Sequence, residues 1–159
     1  MTIDQLDEYG LERMDDEEVQ SFLASQSTGV LGLPTDDIPY MLPLSYGFDG
    51  ESSLYFTYLL GETSDKQELT DRAERGRFLV YDVETQFKWQ SVLLAGDLRP
   101  VPDNEVGEVA AVARNAWRPN TLDAATTDGG TAVYELAIEA QTGIQQNGLA
   151  PDFQENINS

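Results

Sequence analysis

The sequence predicts a mainly β fold, a small antiparallel β-barrel with attached helices. Three observations carry this. Five or six short apolar segments recur between clusters of turn residues. Most successive segments are joined by turns of hairpin length. A parallel, doubly wound sheet would need helical crossovers between most of its strands, and these are missing. One extended segment also contains two prolines, Pro39 and Pro43, which only an edge strand or a bulge tolerates. The chain has 159 residues, 40% of them hydrophobic, which suits one domain with a real core.

The elements follow in order. Residues 1–13 read as a flexible acidic arm, 14–142 as the folded domain and 143–159 as a polar C-terminal tail. Asp15 with Glu18 three residues later forms a capping box. Val19, Phe22 and Leu23 then share one helical face, so a short amphipathic helix is expected over about 15–26. Thr28–Leu33 is extended and stops at Pro34. A turn leads to a second extended run, Ile38–Phe48, placed at an edge or bulge by its prolines. Asp49-Gly50 signals a hairpin into Leu54–Leu60.

A second helix is expected over about 64–75. Ser64 is its N-cap, Gln67 completes a capping box, and Gly76 sits at its C-terminal cap. Arg77–Val83 and Phe87–Val101 are the fourth and fifth strands, with Gly96 marking a bulge or bend. Val106, Val109, Ala110, Ala113 and Trp117 line one face of a third helix over about 104–117, stopped by Pro119. A loop fills 119–130. The sixth strand, Thr131–Glu139, alternates Tyr134, Leu136 and Ile138 on one face with Glu135 and Glu139 on the other.

Composition excludes several functions. The chain carries 29 Asp+Glu against 9 Lys+Arg, a formal net charge of −20. Such a surface repels phosphate backbones and anionic lipid, so neither nucleic acid nor a membrane is an expected partner. With no Cys there is no disulfide, thiolate nucleophile or Cys-ligated zinc, and with no His there is no usual general base. No apolar run reaches membrane-spanning length, and Met1–Gly10 lacks the order of a signal peptide. A soluble, cytoplasmic protein is expected. Only two cations are Lys, and the acid is spread along the chain beside 7 Tyr, 6 Phe and 2 Trp. That pattern points to a folded, halophilic protein whose self-repulsion is screened by concentrated salt. Six of the nine cations lie within 61–100, so an anion site is sought there.

Within that stretch, Gly61–Gln67 leaves a strand, turns and opens a helix. Free backbone N–H groups at such a place make a ready anion site. Lys66 lies in the first helical turn, where the dipole disfavours a cation unless an anion is bound. Ser64 either caps the helix or meets the same anion. The alternative is a solvent-facing Lys66 paired with Asp65 or Glu62. No P-loop is present. Trp89-Gln90-Ser91 begins an otherwise apolar strand. Gln90 and Ser91 offer donors and acceptors for the edge of a heterocycle, or they mark a solvated or interfacial sheet face. Pro43-Leu44-Ser45-Tyr46 is either a ligand-lined kinked strand or an ordinary edge. Arg118 is read as capping helix carbonyls, Asp15–Glu18 as a solvated helix start, and Tyr55, Phe56 and Tyr58 as core or interface. No hydrolase constellation or metal site stands out.

Taken as an ordered set, MDDEEVQSFLASQSTGVLGLPTDDIPYMLPLSYGFDG, LYFT, SDK, FLVYDV and WQSVLLAGDLRPV resemble the pyridoxamine 5′-phosphate oxidase-like FMN-binding split-barrel family. The resemblance spans roughly residues 14–102, and the strand near 132–139 fits it too. It implies a six-stranded antiparallel split β-barrel that works as a homodimer with FMN in a groove at the interface. Lys66 and Ser64 match the position that holds the FMN phosphate. Leu42, Pro43, Leu44 and Ser45 match the strand whose backbone lines the isoalloxazine, with Thr57 on the adjoining strand. Gln90 and Ser91 match positions that contact the flavin or its ribityl chain, on this subunit or the second.

The resemblance implies an FMN-dependent oxidoreductase of a small molecule, or else a non-catalytic flavin-binding, storage or sensing module. A deazaflavin or haem is a further alternative, haem being weakened by the lack of His and Cys. The chain departs from true pyridoxamine phosphate oxidases in a telling place. Those resemble one another in a basic, His-containing C-terminal segment, whereas here residues 120–159 contain neither Lys nor Arg and the chain has no His. Vitamin B6 oxidation is therefore not the expected activity.

Overall fold

The computed structural model describes residues 10–59, 66–113 and 131–148. Segment 61–65 with Ser64, the expected helix end at Trp117-Arg118-Pro119, the loop 119–130, and the outer parts of the arm and tail lie outside the described residues.

The elements are β1 (Leu11–Arg13), α1 (Asp16–Ser25), β2 (Thr28–Leu33), β3 (Tyr40–Ser45), β4 (Gly47–Phe48), β5 (Ser53–Leu59), α2 (Lys66–Ala73), β6 (Arg75–Thr85), β7 (Lys88–Pro100), α3 (Asp103–Ala113) and β8 (Thr131–Asn147). The strands form one antiparallel sheet ordered β3-β2-β6-β7-β8-β5-β4, with β1 paired to β8. The sheet curls so that β3 approaches β5, making a half-barrel. Among the described residues, no helix is long and apolar enough to cross a membrane.

The mainly β antiparallel architecture is the expected one, but the described residues form eight strands instead of six. The second expected strand is broken at Tyr46. Its backbone N–H donates to Ser27 O at 2.9 Å. Its buried hydroxyl donates to Leu23 O at 2.8 Å. Turning this ring into the core, edge-on to Phe78 with centroids 5.5 Å apart, divides β3 from β4. β3 is an edge strand, as its prolines require, with Pro43 opposite Val30.

The other added strand comes from the arm. β8 continues to Asn147, past the expected boundary at 142. One of its edges pairs with β7 from Tyr134 to Asn147; the other pairs first with β5 and then with β1. Gly143 permits this crossing, because a Cβ there would stand 2.8 Å from Met14 Cβ and 2.8 Å from Val19 Cγ2.

Local signals explain most of the rest. Asp15 accepts from the Glu18 N–H at 2.8 Å, completing the capping box with the Glu18 side chain. The Asp49 carboxylate gathers the N–H groups of Glu51 and Ser52 at 2.8 and 2.9 Å, and Gly50 takes φ +91°. Gly96 is the expected bulge: the β7–β8 register shifts there, and a Cβ would lie 1.8 Å from Ala137 O.

Gly76 does not cap α2. Glu74 closes the helix with φ 58°, and Gly76 already belongs to β6. Glycine is needed there because a Cβ would meet Leu98 Cδ1 at 2.9 Å and Gly32 O at 3.1 Å. The core fills the concave side with Leu31, Phe56, Phe78, Val92, Leu94 and Leu136, all fully buried, and α1 closes it with Val19, Phe22 and Leu23.

Candidate functional site

Strands fix side-chain direction by their period of two, which sorts the expected site residues. On β3, Leu42 and Leu44 pack against the core, while Pro43 is exposed and Ser45 half-buried. The two leucines can therefore meet a ligand only through their backbone. β3 pairs with β2 on one edge, and its other edge turns toward β5. Thr57 on β5 is half-buried beside Phe56 and Tyr58, which are both buried.

Lys66 is the first residue of α2, eight residues long. The helix is fastened to the barrel by hydroxyls. Tyr58 Oη and Thr70 Oγ1 lie 2.8 Å apart, and Tyr134 Oη donates to Asp71 Oδ1 at 2.9 Å. Burial pushes the Tyr58 phenol up to about 12. β3 and β5 approach one another, and Tyr58 ties β5 to α2.

Gln90 and Ser91 do not share a face. Gln90 donates through Nε2 to Gln145 Oε1 at 3.1 Å. Gln145 in turn donates to Glu18 Oε2 at 2.9 Å, so Gln90 belongs to a polar chain running to the cap of α1. Ser91 lies on the opposite, convex face, in register with Tyr81 and Ile144. Trp89 Nε1 donates to Gln146 Oε1 at 3.0 Å. Gln145 and Gln146 are partners that sequence reasoning missed, because the last strand was expected to stop at Glu139.

The convex face carries large apolar groups open to solvent. Tyr81 is 56% exposed, Val83 60% and Leu93 36%, with Met41 at 64% on β3. Monomeric proteins seldom leave such a patch uncovered.

A second missed cluster lies under α3. Glu135 is buried and accepts from Ser53 Oγ at 2.6 Å, from Tyr55 Oη at 3.2 Å and from Arg99 Nε. Arg99 also holds Glu105 of α3 at 3.2 Å. Burial pulls the Glu135 carboxyl upward, but the Ser53 hydroxyl and the Arg99 guanidinium outweigh it and hold the carboxyl below its ordinary value. The alternation placing Glu135 opposite Leu136 was visible in sequence; its burial was not, because α3 covers that face.

Comparison with known proteins agrees with this fold. The profile of the pyridoxamine 5′-phosphate oxidase family matches residues 15–145. No curated protein matches the chain. Among solved structures, an FAD-binding protein from Mesorhizobium loti is 20% identical with TM-score 0.66, covering 86% of this chain and 99% of its own. An FAD and haem binding protein from Mycobacterium smegmatis is 16% identical with TM-score 0.68, covering 94% and 79%. An FAD binding protein from the same organism is 16% identical with TM-score 0.64, covering 86% and 99%. At such identities these likenesses concern the fold. The family profile covers most of the chain, and the chain belongs to the pyridoxamine 5′-phosphate oxidase family.

Proposed function

We propose that this chain is an FMN-binding flavoprotein and acts as an oxidoreductase on a small molecule. The observation that carries the proposal is the approach of β3 to β5, with α2 tied to β5 through Tyr58 and Thr70. The residues present there fit a flavin. The backbone of Leu42–Ser45 lies along an edge where a flat ring can be held. A helix start with Lys66 suits one phosphate, and Ser64 precedes it in sequence. That similarly folded proteins from Mesorhizobium loti and Mycobacterium smegmatis bind FAD supports a flavin here. Bound flavin supplies hydride acceptance at N5, so the chain needs to position and insulate rather than provide a His base. The lack of His, and of Lys and Arg beyond Arg118, directs the proposal away from vitamin B6 phosphates.

The active unit in this proposal is a homodimer formed through the apolar convex face. Ser91 lies on that face and reaches a cofactor of the second subunit; Gln90 joins only by giving up Gln145. The acidic surface belongs, in the same reading, to a cytoplasmic protein of a salt-rich cell.

Purification in concentrated salt tests the cofactor. The protein is expected to be yellow and to release FMN on denaturation, identified by chromatography. A colourless protein that gains no flavin absorption on mixing with FMN overturns the proposal. Stopped-flow reduction by NADH or NADPH tests the activity. Reduction faster than that of free FMN supports an oxidoreductase; an equal rate leaves a binding module.

A further inference from the structure

We propose that a hollow at the start of β6 is a separate binding site for a small organic monocarboxylate with a compact apolar body. The hollow has a volume of about 410 Å³, within the usual range of small-molecule sites. Its walls are Leu33, Pro34, Pro39 and Ala95. Arg75 and Arg77 line it too, and among the described residues no Asp or Glu does. In a chain with 29 acids and 9 basic side chains, a cavity with cations and no acid is a marked local reversal of charge.

The two arginines have different roles. Arg75 is neutralised by Asp97 at 3.4 Å and by Glu139. Arg77 makes no ion pair among the described residues. One free guanidinium offers a planar fork that matches one carboxylate. A dianion would be left half-balanced against a protein of charge −20.

The backbone register sets the geometry. Gly32, Arg77 and Ala95 stand opposite one another across β2, β6 and β7, so they share a face. Small residues on both sides of Arg77 leave room beside its stem. A Cβ at Gly32 would meet only Arg77 O, at 3.8 Å. The missing side chain is therefore not demanded by packing, and the space it leaves belongs to the hollow. The inference does not rest on the flavin; the hollow shares the convex face with Tyr81 and Leu93, so it requires that the proposed dimer leave this end of the face uncovered.

Benzoate serves as the probe and benzamide as its uncharged counterpart. Binding is followed by amide NMR shifts of Gly32, Gly76 and Ala95 in the full chain. Benzoate is expected to shift these amides saturably, and benzamide is not. Arg77→Gln should weaken benzoate about tenfold or more, the scale of a charge-assisted contact. Gly32→Val should do the same by filling the space, and it keeps the fold because valine suits a strand and its Cβ has room. Equal shifts from benzoate and benzamide overturn the proposal, as does wild-type affinity in either variant. Absence of benzoate shifts, together with loss of dimer in Arg77→Gln, overturns it too, since Arg77 then serves a second copy of the chain.

Discussion

The Tyr58 hydroxyl and Thr70 Oγ1 meet at 2.8 Å inside the protein, joining β5 to the helix that Lys66 begins. With the Tyr134–Asp71 bond, this contact fixes where α2 sits, and so where any phosphate at its start is held. Tyr58→Phe should cost about 1 kcal/mol, the net worth of such a bond, read by chemical denaturation. The phenol rises from 10.0 to about 12 on folding, chiefly by burial. A raised value means that its contribution is complete below pH 10 and is lost as the pH climbs toward 12. Alkaline unfolding should therefore begin above pH 10 and shift in Tyr58→Phe. An unchanged alkaline limb would remove Tyr58 from that role.

Glu135 works at the other end of the scale. Its carboxyl is depressed in the folded chain, so its stabilisation is present above the ordinary carboxylate range and fades as pH falls through the folded value. Glu135→Gln should cost about 1–3 kcal/mol at neutral pH, because Ser53, Tyr55 and Arg99 lose a charged acceptor. The variant's deficit should shrink in acid, where wild type loses the same charge. A deficit independent of pH would mean that the loss is one of packing.

Lys66→Ala should weaken FMN by about 1.5–3 kcal/mol, measured by quenching of flavin fluorescence. Unchanged affinity would move the phosphate away from the start of α2.

Leu93 stands 36% exposed on the convex face. Leu93→Glu should turn a dimer into a monomer in light scattering while leaving the fold intact, since the side chain points away from the core. Flavin should be lost with the dimer if Ser91 completes the partner's site. Equal masses for wild type and variant would place the interface elsewhere.

Gly96→Ala is expected to be severe. Its Cβ would fall 1.8 Å from Ala137 O, a backbone atom that cannot step aside. A loss of about 3 kcal/mol or more is expected, at or above the upper end of what forced overpacking usually costs. Loss of less than about 1 kcal/mol would show that the bulge can migrate along β7.

Much of this architecture was legible in the residues. Asp15 with Glu18, Asp49-Gly50, the prolines of β3 and Gly96 each carry a local rule that the structure obeys. The far half of β8 was not legible. Residues 140–147 are mostly polar or small, and their partners are side chains distant in sequence: Trp89 for Gln146 and Gln90 for Gln145. Such lateral amide contacts leave no hydrophobic period to read. For the expected site residues, the letters list positions but not the face that each one serves. Strand alternation separates Gln90 from Ser91, and neighbouring letters concealed that they serve opposite faces. Gly76 was misplaced for a related reason. Its need for a bare Cα comes from Leu98 and Gly32, which lie far away along the chain.

The last strand has a consequence for the order of events in folding. β8 is the sole neighbour of β7 on one side, the seat of β5, and the only partner of the N-terminal strand β1 among the described residues. Leu11 waits for Gln146 and Ser53 for Ala137. Closing such distant pairs makes folding slow relative to chains rich in local contacts. During synthesis, β2 through β7 can form hairpins, but two open edges persist until β8 leaves the ribosome. Protease resistance in ribosome-bound chains should therefore appear in one late step, when residues 131–147 emerge.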